Sequence, residues 1–134
     1  MINLKELEID GYGLKSIPNE VFNLIHLTML NLHRNEIMEV PDGIIALERL
    51  KILRINNNKL KKLSAKIGFL PHLIELHLQE NELSEIPIEI CRNKSLRMLN
   101  IRSNNFKRIP KYFQEMNSVR TKFLKFAKNP LEEV

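Results

Sequence analysis

The sequence predicts a solenoid of the α/β class, in which each coil supplies one short strand and one short helical return. Three observations predict it. First, one spacing recurs at Leu27, Leu30, Leu32, Asn35, at Leu50, Leu53, Ile55, Asn58, at Leu73, Leu76, Leu78, Asn81 and at Leu96, Leu99, Ile101, Asn104, each copy 23 residues after the last. A fixed period in this range marks stacked coils. Second, the fourth and sixth places of each copy are two residues apart, so both side chains point to one face of a strand. Third, the asparagine is followed by a corner such as Ile17-Pro18, Val40-Pro41 or Ile86-Pro87, then by apolar pairs three apart, Val21/Leu24 and Ile44/Leu47. Proline fixes its own φ and biases the preceding residue toward extended backbone, and the spacing of three fits a short helical turn. One such coil cannot bury its own apolar side. Stacked coils can, with parallel strands about 4.8 Å apart.

Taken in order, a single domain spans 1–134 as repeats 4–26, 27–49, 50–72, 73–95 and 96–120 and a half-repeat 121–134. The first repeat has Leu4, Leu7 and Ile9, but Tyr12 between Gly11 and Gly13 takes the asparagine place. The second is the most regular. The third has Ser64 where the others carry proline, and the fourth has polar Asn93 where the third has Leu70. The fifth, with Phe106, Ile109, Pro110, Phe113 and Met116, is two residues longer. The last is read as Thr121, Leu124, Phe126, Asn129, Leu131 and Val134.

Asn35, Asn58, Asn81, Asn104 and Asn129 read as a structural ladder. An amide inside a tight turn donates to a backbone carbonyl and accepts from a backbone N–H, pairing groups the turn would strand at roughly 1–3 kcal/mol each.

These units resemble the leucine-rich repeat in its 23-residue form, LxxLxLxxNxLxxIPxxIxxLxx, over essentially the whole chain. The Ile-Pro-x-x-Ile variant is similar to that of bacterial members, spirochaete ones among them, and of the Ras-group repeats of eukaryotes. The resemblance implies a curved solenoid with a parallel sheet on its concave side and short helical or 3-10 segments on its convex side. It also implies a protein-binding role, with the identity of the partner protein left open; no cofactor is expected.

Bulk properties narrow the classes. With 43% hydrophobic and 28% charged residues the composition is that of an ordinary globular domain. The N-terminus carries Glu6, Glu8 and Asp10 where a secretory leader would be apolar. No stretch approaches about 18 consecutive apolar residues, so membrane insertion is not expected. The single cysteine, Cys91, makes no internal disulfide. The expectation is a cytoplasmic protein, with export by a leaderless route left open. The net charge of +5 invites nucleic acid. The basic third and fifth repeats are separated by an acidic fourth, however, and no continuous basic stripe follows a phosphate path.

The third, fifth and seventh places of each strand are expected to project from the sheet, where the repeat makes no demand on them. They place Met29, Asn31, His33, Ile52, Arg54, Asn56, His77, Gln79, Met98, Asn100 and Arg102 on the predicted partner-binding face. Met29, Ile52, Met98 and Phe123 form a broken apolar column, either an adaptable interface or side chains half covered by their neighbours. Glu6, Glu8 and Asp10 at one end oppose Arg97, Arg102, Lys125 and Lys128 at the other. Such polarity orients a partner, or guards an edge strand in the case of Lys122, Lys125 and Lys128.

Neither metal nor catalysis is predicted. His33 and His77 lie two repeats apart, roughly 9–10 Å by strand spacing, too far for zinc bonds of about 2 Å; His26 and His72 are likewise separated. Cys91 has no histidine near it to activate it and reads as a small apolar filler. The triplet Asn93-Lys94-Ser95 spells a glycosylation acceptor, discounted without a leader. Lys59, Lys61, Lys62 and Lys66 read as a solvated rim. The functional expectation is a non-catalytic interaction module. Two rivals stand beside it: a self-assembling scaffold that pairs through its terminal repeats, and a repeat domain cut from a larger effector or enzyme.

Overall fold

The computed structural model describes residues 2–113 and 123–132. Met116, Thr121, Lys122 and Val134 lie outside the described residues, as do the side chains of Phe123 and Leu124. The strands are β1 (Glu6–Glu8), β2 (Met29–Asn31), β3 (Glu39–Val40), β4 (Ile52–Arg54), β5 (Lys62–Leu63), β6 (Glu75–His77), β7 (Met98–Asn100) and β8 (Phe123–Lys125). Six of them form one parallel sheet in the order β1-β2-β4-β6-β7-β8. Equivalent places pair throughout, Leu7 with Leu30, Leu30 with Leu53, Leu53 with Leu76 and Leu76 with Leu99. Register follows from the repeat length, because one residue of slip would turn the whole leucine set to the opposite face.

The inward set is fully buried. Leu30, Leu53, Leu76 and Leu99 come from the sheet and meet Ile44, Ile67 and Ile90 from the outer segments. Those segments are 3-10 turns at Asn19–Asn23, Asp42–Ala46 and Ala65–Phe69 and a short helix α1 (Ile88–Cys91). Pro18, Pro41 and Pro87 stand at three of the four starts, where the missing N–H costs nothing. The fourth is Ser64, and the exchange has a purpose. Its N–H donates to the Val40 carbonyl at 3.0 Å, a bond proline could not make, extending a second, two-stranded parallel sheet of β3 and β5. Its Oγ also accepts from the Lys66 N–H at 3.0 Å and caps the turn.

Toward the last coil the filling changes from aliphatic to aromatic. The Phe126 ring sits 5.3 Å from Phe106 and 5.8 Å from Phe113, centroid to centroid. Among the described residues no helix is long and apolar enough to cross a membrane.

Each coil leaves its sheet strand through a left-handed residue just before the asparagine place. Arg34, Asn57, Glu80, Ser103 and Lys128 have φ of 58°, 58°, 58°, 56° and 62°, and Gly11 has 75°. A side chain in this region costs about 1–2 kcal/mol, offset in part by the entropy glycine loses on folding. Glu80→Gly is therefore expected to stabilise the chain by up to about 1 kcal/mol in chemical denaturation. A loss of stability would show that the Glu80 side chain contributes more than its conformation costs.

Candidate binding face

The asparagines set the geometry of the face by holding adjacent coils together. Asn81 Oδ1 accepts from the Leu60 N–H of the preceding coil at 2.9 Å, while its Nδ2 donates to Ile55 O of that coil at 2.9 Å and to Leu78 O of its own at 3.0 Å. Asn58 repeats the pattern with Ile37 N–H, Leu32 O and Ile55 O, and Asn104 repeats it with Leu83 N–H, Leu78 O and Ile101 O. Asn35 accepts from Tyr12 and Leu14 and donates to Ile9 O and Leu32 O, and Asn129 accepts from Phe106. The amides thus link coil to coil, where the sequence reading confined them to their own turn. Tyr12, in the same place of the first coil, is exposed.

The ladder keeps the sheet closely stacked, and close stacking decides how much of each outward side chain shows. Met29, Ile52 and Met98 are half-buried by their neighbours, as are His33, Arg54, Asn56, His77, Gln79 and Arg102. The expectation that all fifth places project into solvent needs correction at two positions. Asn31 and Asn100 are only 5% and 7% exposed. Each short amide folds back along its strand, its Oδ1 accepting from the backbone N–H two residues on, of His33 at 3.1 Å and of Arg102 at 3.2 Å. They support the face from beneath. Gln79 Oε1 is buried and has no hydrogen-bond partner, which leaves an acceptor open in the seventh-place row. His77 lies against Glu75, Nε2 to Oε1 2.9 Å.

The acidic end is more organised than its sequence suggested. Arg34 Nε donates to Asp10 Oδ1 at 2.7 Å, and its terminal nitrogen bonds Asp10 Oδ2. This guanidinium pairing holds the Asp10 carboxyl below its usual range, against the opposing effect of desolvation, and lifts the Arg34 pKa in turn. His33 Nε2 stands 3.0 Å from Asp10 Oδ2 and 4.0 Å from Glu8 Oε1. The sequence reading measured histidines only against each other and missed this cluster. The signal was available, because Asp10 and His33 hold the seventh place of adjacent coils and Glu8 shares their face.

The outer side is quieter. Lys59 pairs with Glu36 at 3.3 Å, Lys61 pairs with Glu82 at 3.8 Å, and Lys66 lies 5.9 Å from the centre of the Phe69 ring. Cys91 ends α1 and packs half-buried against the core. Asn93 of the glycosylation triplet is buried, its Nδ2 donating to Ile67 O and Leu70 O at 3.1 Å each, so its amide is engaged in the fold.

The leucine-rich repeat family matches the chain over residues 2–60 and 48–106. A leucine-rich repeat protein of Leptospira interrogans is 32% identical with a TM-score of 0.85, the match covering 98% of this chain and 33% of that one. The plant peptide hormone receptor RGFR1, solved in complex with RGF2, is 28% identical with a TM-score of 0.79 over 95% of this chain and 21% of that one. The receptor kinase ectodomain GASSHO1/SCHENGEN3 of Arabidopsis thaliana, solved with CASPARIAN STRIP INTEGRITY FACTOR 2, is 34% identical with a TM-score of 0.75 over 94% and 16%. The chain therefore spans a third or less of the length of these structures. No curated protein matches it.

Proposed function

The chain belongs to the leucine-rich repeat family, and on that premise we propose that it is a non-catalytic module that binds a partner protein or peptide through its concave sheet. The observation that carries this reading is the row of half-buried side chains on one rigid sheet, Met29, Ile52 and Met98 beside Arg54, His77 and Arg102. Side chains already restrained by their neighbours lose little further entropy on binding. Methionines adapt to an irregular surface, and arginine is enriched at interfaces. Glu6, Glu8 and Asp10 on the first coil, with Arg54 and Arg102 farther along, give the face a polarity that favours one direction of approach. The two plant receptors supply the analogy, each solved with a bound factor.

The test combines affinity capture with paired variants. A partner held by the parent chain should also be held by Phe69→Asp, a change on the exposed outer side. Loss of the central anchors in the triple variant Met29→Asp, Arg54→Glu, Met98→Asp should weaken it by about a hundredfold or more. Equal retention by both variants contradicts the assignment of the face.

A further inference from the structure

His33 faces a group of carboxylate and amide oxygen atoms contributed by the first two coils. Its backbone N–H donates to Asn31 Oδ1 at 3.1 Å, which fixes the amide with its oxygen toward the ring. That same oxygen meets His33 Nδ1. An amide oxygen only accepts, so Nδ1 carries the proton. The other nitrogen, Nε2, faces the Asp10 and Glu8 carboxylates at 3.0 and 4.0 Å. A positive centre between Nε2 and the carboxylates, whether a proton or a metal ion, engages all three side chains at once.

We propose that Glu8, Asp10 and His33 form a site for a divalent transition-metal ion of the zinc class on the first two coils of the sheet. The donor atoms all lie within 4.8 Å of one another. Ligands about 2.0–2.2 Å from a tetrahedral ion stand roughly 3.3–3.6 Å apart, so the observed 3.0 and 4.0 Å bracket the requirement and small side-chain rotations meet it. One imidazole with two carboxylates suits zinc and its neighbours better than calcium or magnesium, which take oxygen donors. Asn31 supplies the outer support such sites use, orienting the ring through Nδ1 from a buried position. Three protein donors leave a fourth position for water or for a donor brought by a partner. Arg34 is the competitor. It shares Asp10 Oδ2 with the ion, while its Nε bond to Oδ1 can persist alongside the metal.

The experiment is a titration of zinc chloride into the full chain, stripped of metal by a chelator, followed by calorimetry and by nitrogen NMR of the imidazoles. One ion should bind per chain and shift His33 Nε2, leaving His26, His72 and His77 in place. Asp10→Asn and Glu8→Gln should each weaken binding by about tenfold or more. Arg34→Gln should tighten it severalfold, a gain that a purely structural ion pair would not give and that can be read even if the Asp10 variant folds poorly. The proposal is overturned if zinc up to about 1 mM leaves His33 unmoved, the gap then being filled by a proton alone. It is equally overturned if zinc binds through another histidine, or if Arg34→Gln binds no more tightly than the parent.

Discussion

Asn81→Leu is expected to lower the unfolding free energy by about 3–5 kcal/mol and the melting temperature by about 10–20 °C. The leucine fits the volume but strands the Leu60 N–H, now bonded to Oδ1 at 2.9 Å, and removes one of two amide donors from each of the Ile55 and Leu78 carbonyls, which keep only Asn58 and Asn104. Each buried group left without a partner costs about 1–3 kcal/mol, a large fraction of the 5–15 kcal/mol a domain commands. Asn81→Asp separates the two halves of the role. It keeps an acceptor for Leu60 but sets a carboxylate against two carbonyls, so it should be nearly as damaging. Thermal and chemical unfolding of both variants checks this, and a loss below about 1 kcal/mol for the leucine variant would mean that water or the backbone repairs the turn.

Gly68→Ala is expected to cost about 3 kcal/mol, at the upper end of overpacking effects. A Cβ there would stand 2.3 Å from the Glu89 carbonyl oxygen and 2.4 Å from its carbon, so the 3-10 turn Ala65–Phe69 and α1 could no longer pack at their present distance. Gly43 offers an internal comparison, since the nearest atoms to a Cβ there belong to the Phe22 ring, at 2.8 Å. The half-buried ring can swing aside, and Gly43→Ala should cost less than half as much. Equal effects at the two positions in urea unfolding would contradict the distinction between a backbone obstacle and a movable ring.

The sequence carried the architecture because the architecture is periodic. Leu27, Leu30, Leu32 and Asn35 recur at fixed places and appear as buried core and ladder. What escaped the reading lacks a signature of its own. Arg34, Glu80 and Lys128 adopt left-handed backbone although none is a residue type that advertises it, unlike Gly11 and Asn57 at the equivalent place. The β3–β5 pairing is two residues long and depends on Ser64 offering an N–H. Asn31 and Asn100 looked like surface because alternation along a strand says which side a residue faces, and not whether a short side chain folds back onto its own backbone. The Glu8, Asp10 and His33 cluster was hidden for another reason. It joins residues 23 and 25 apart in sequence, and becomes visible only when the repeats are laid side by side.

Amide hydrogen exchange of the chain with and without its captured partner is the measurement that tests the binding face most directly. Protection should rise along β2, β4, β6 and β7, at Met29–Asn31, Ile52–Arg54, Glu75–His77 and Met98–Asn100 and in the turns that follow them, while the outer segments Asp42–Ala46, Ala65–Phe69 and Ile88–Cys91 stay unchanged. Protection gained on those outer segments, with the sheet unaltered, would contradict the account.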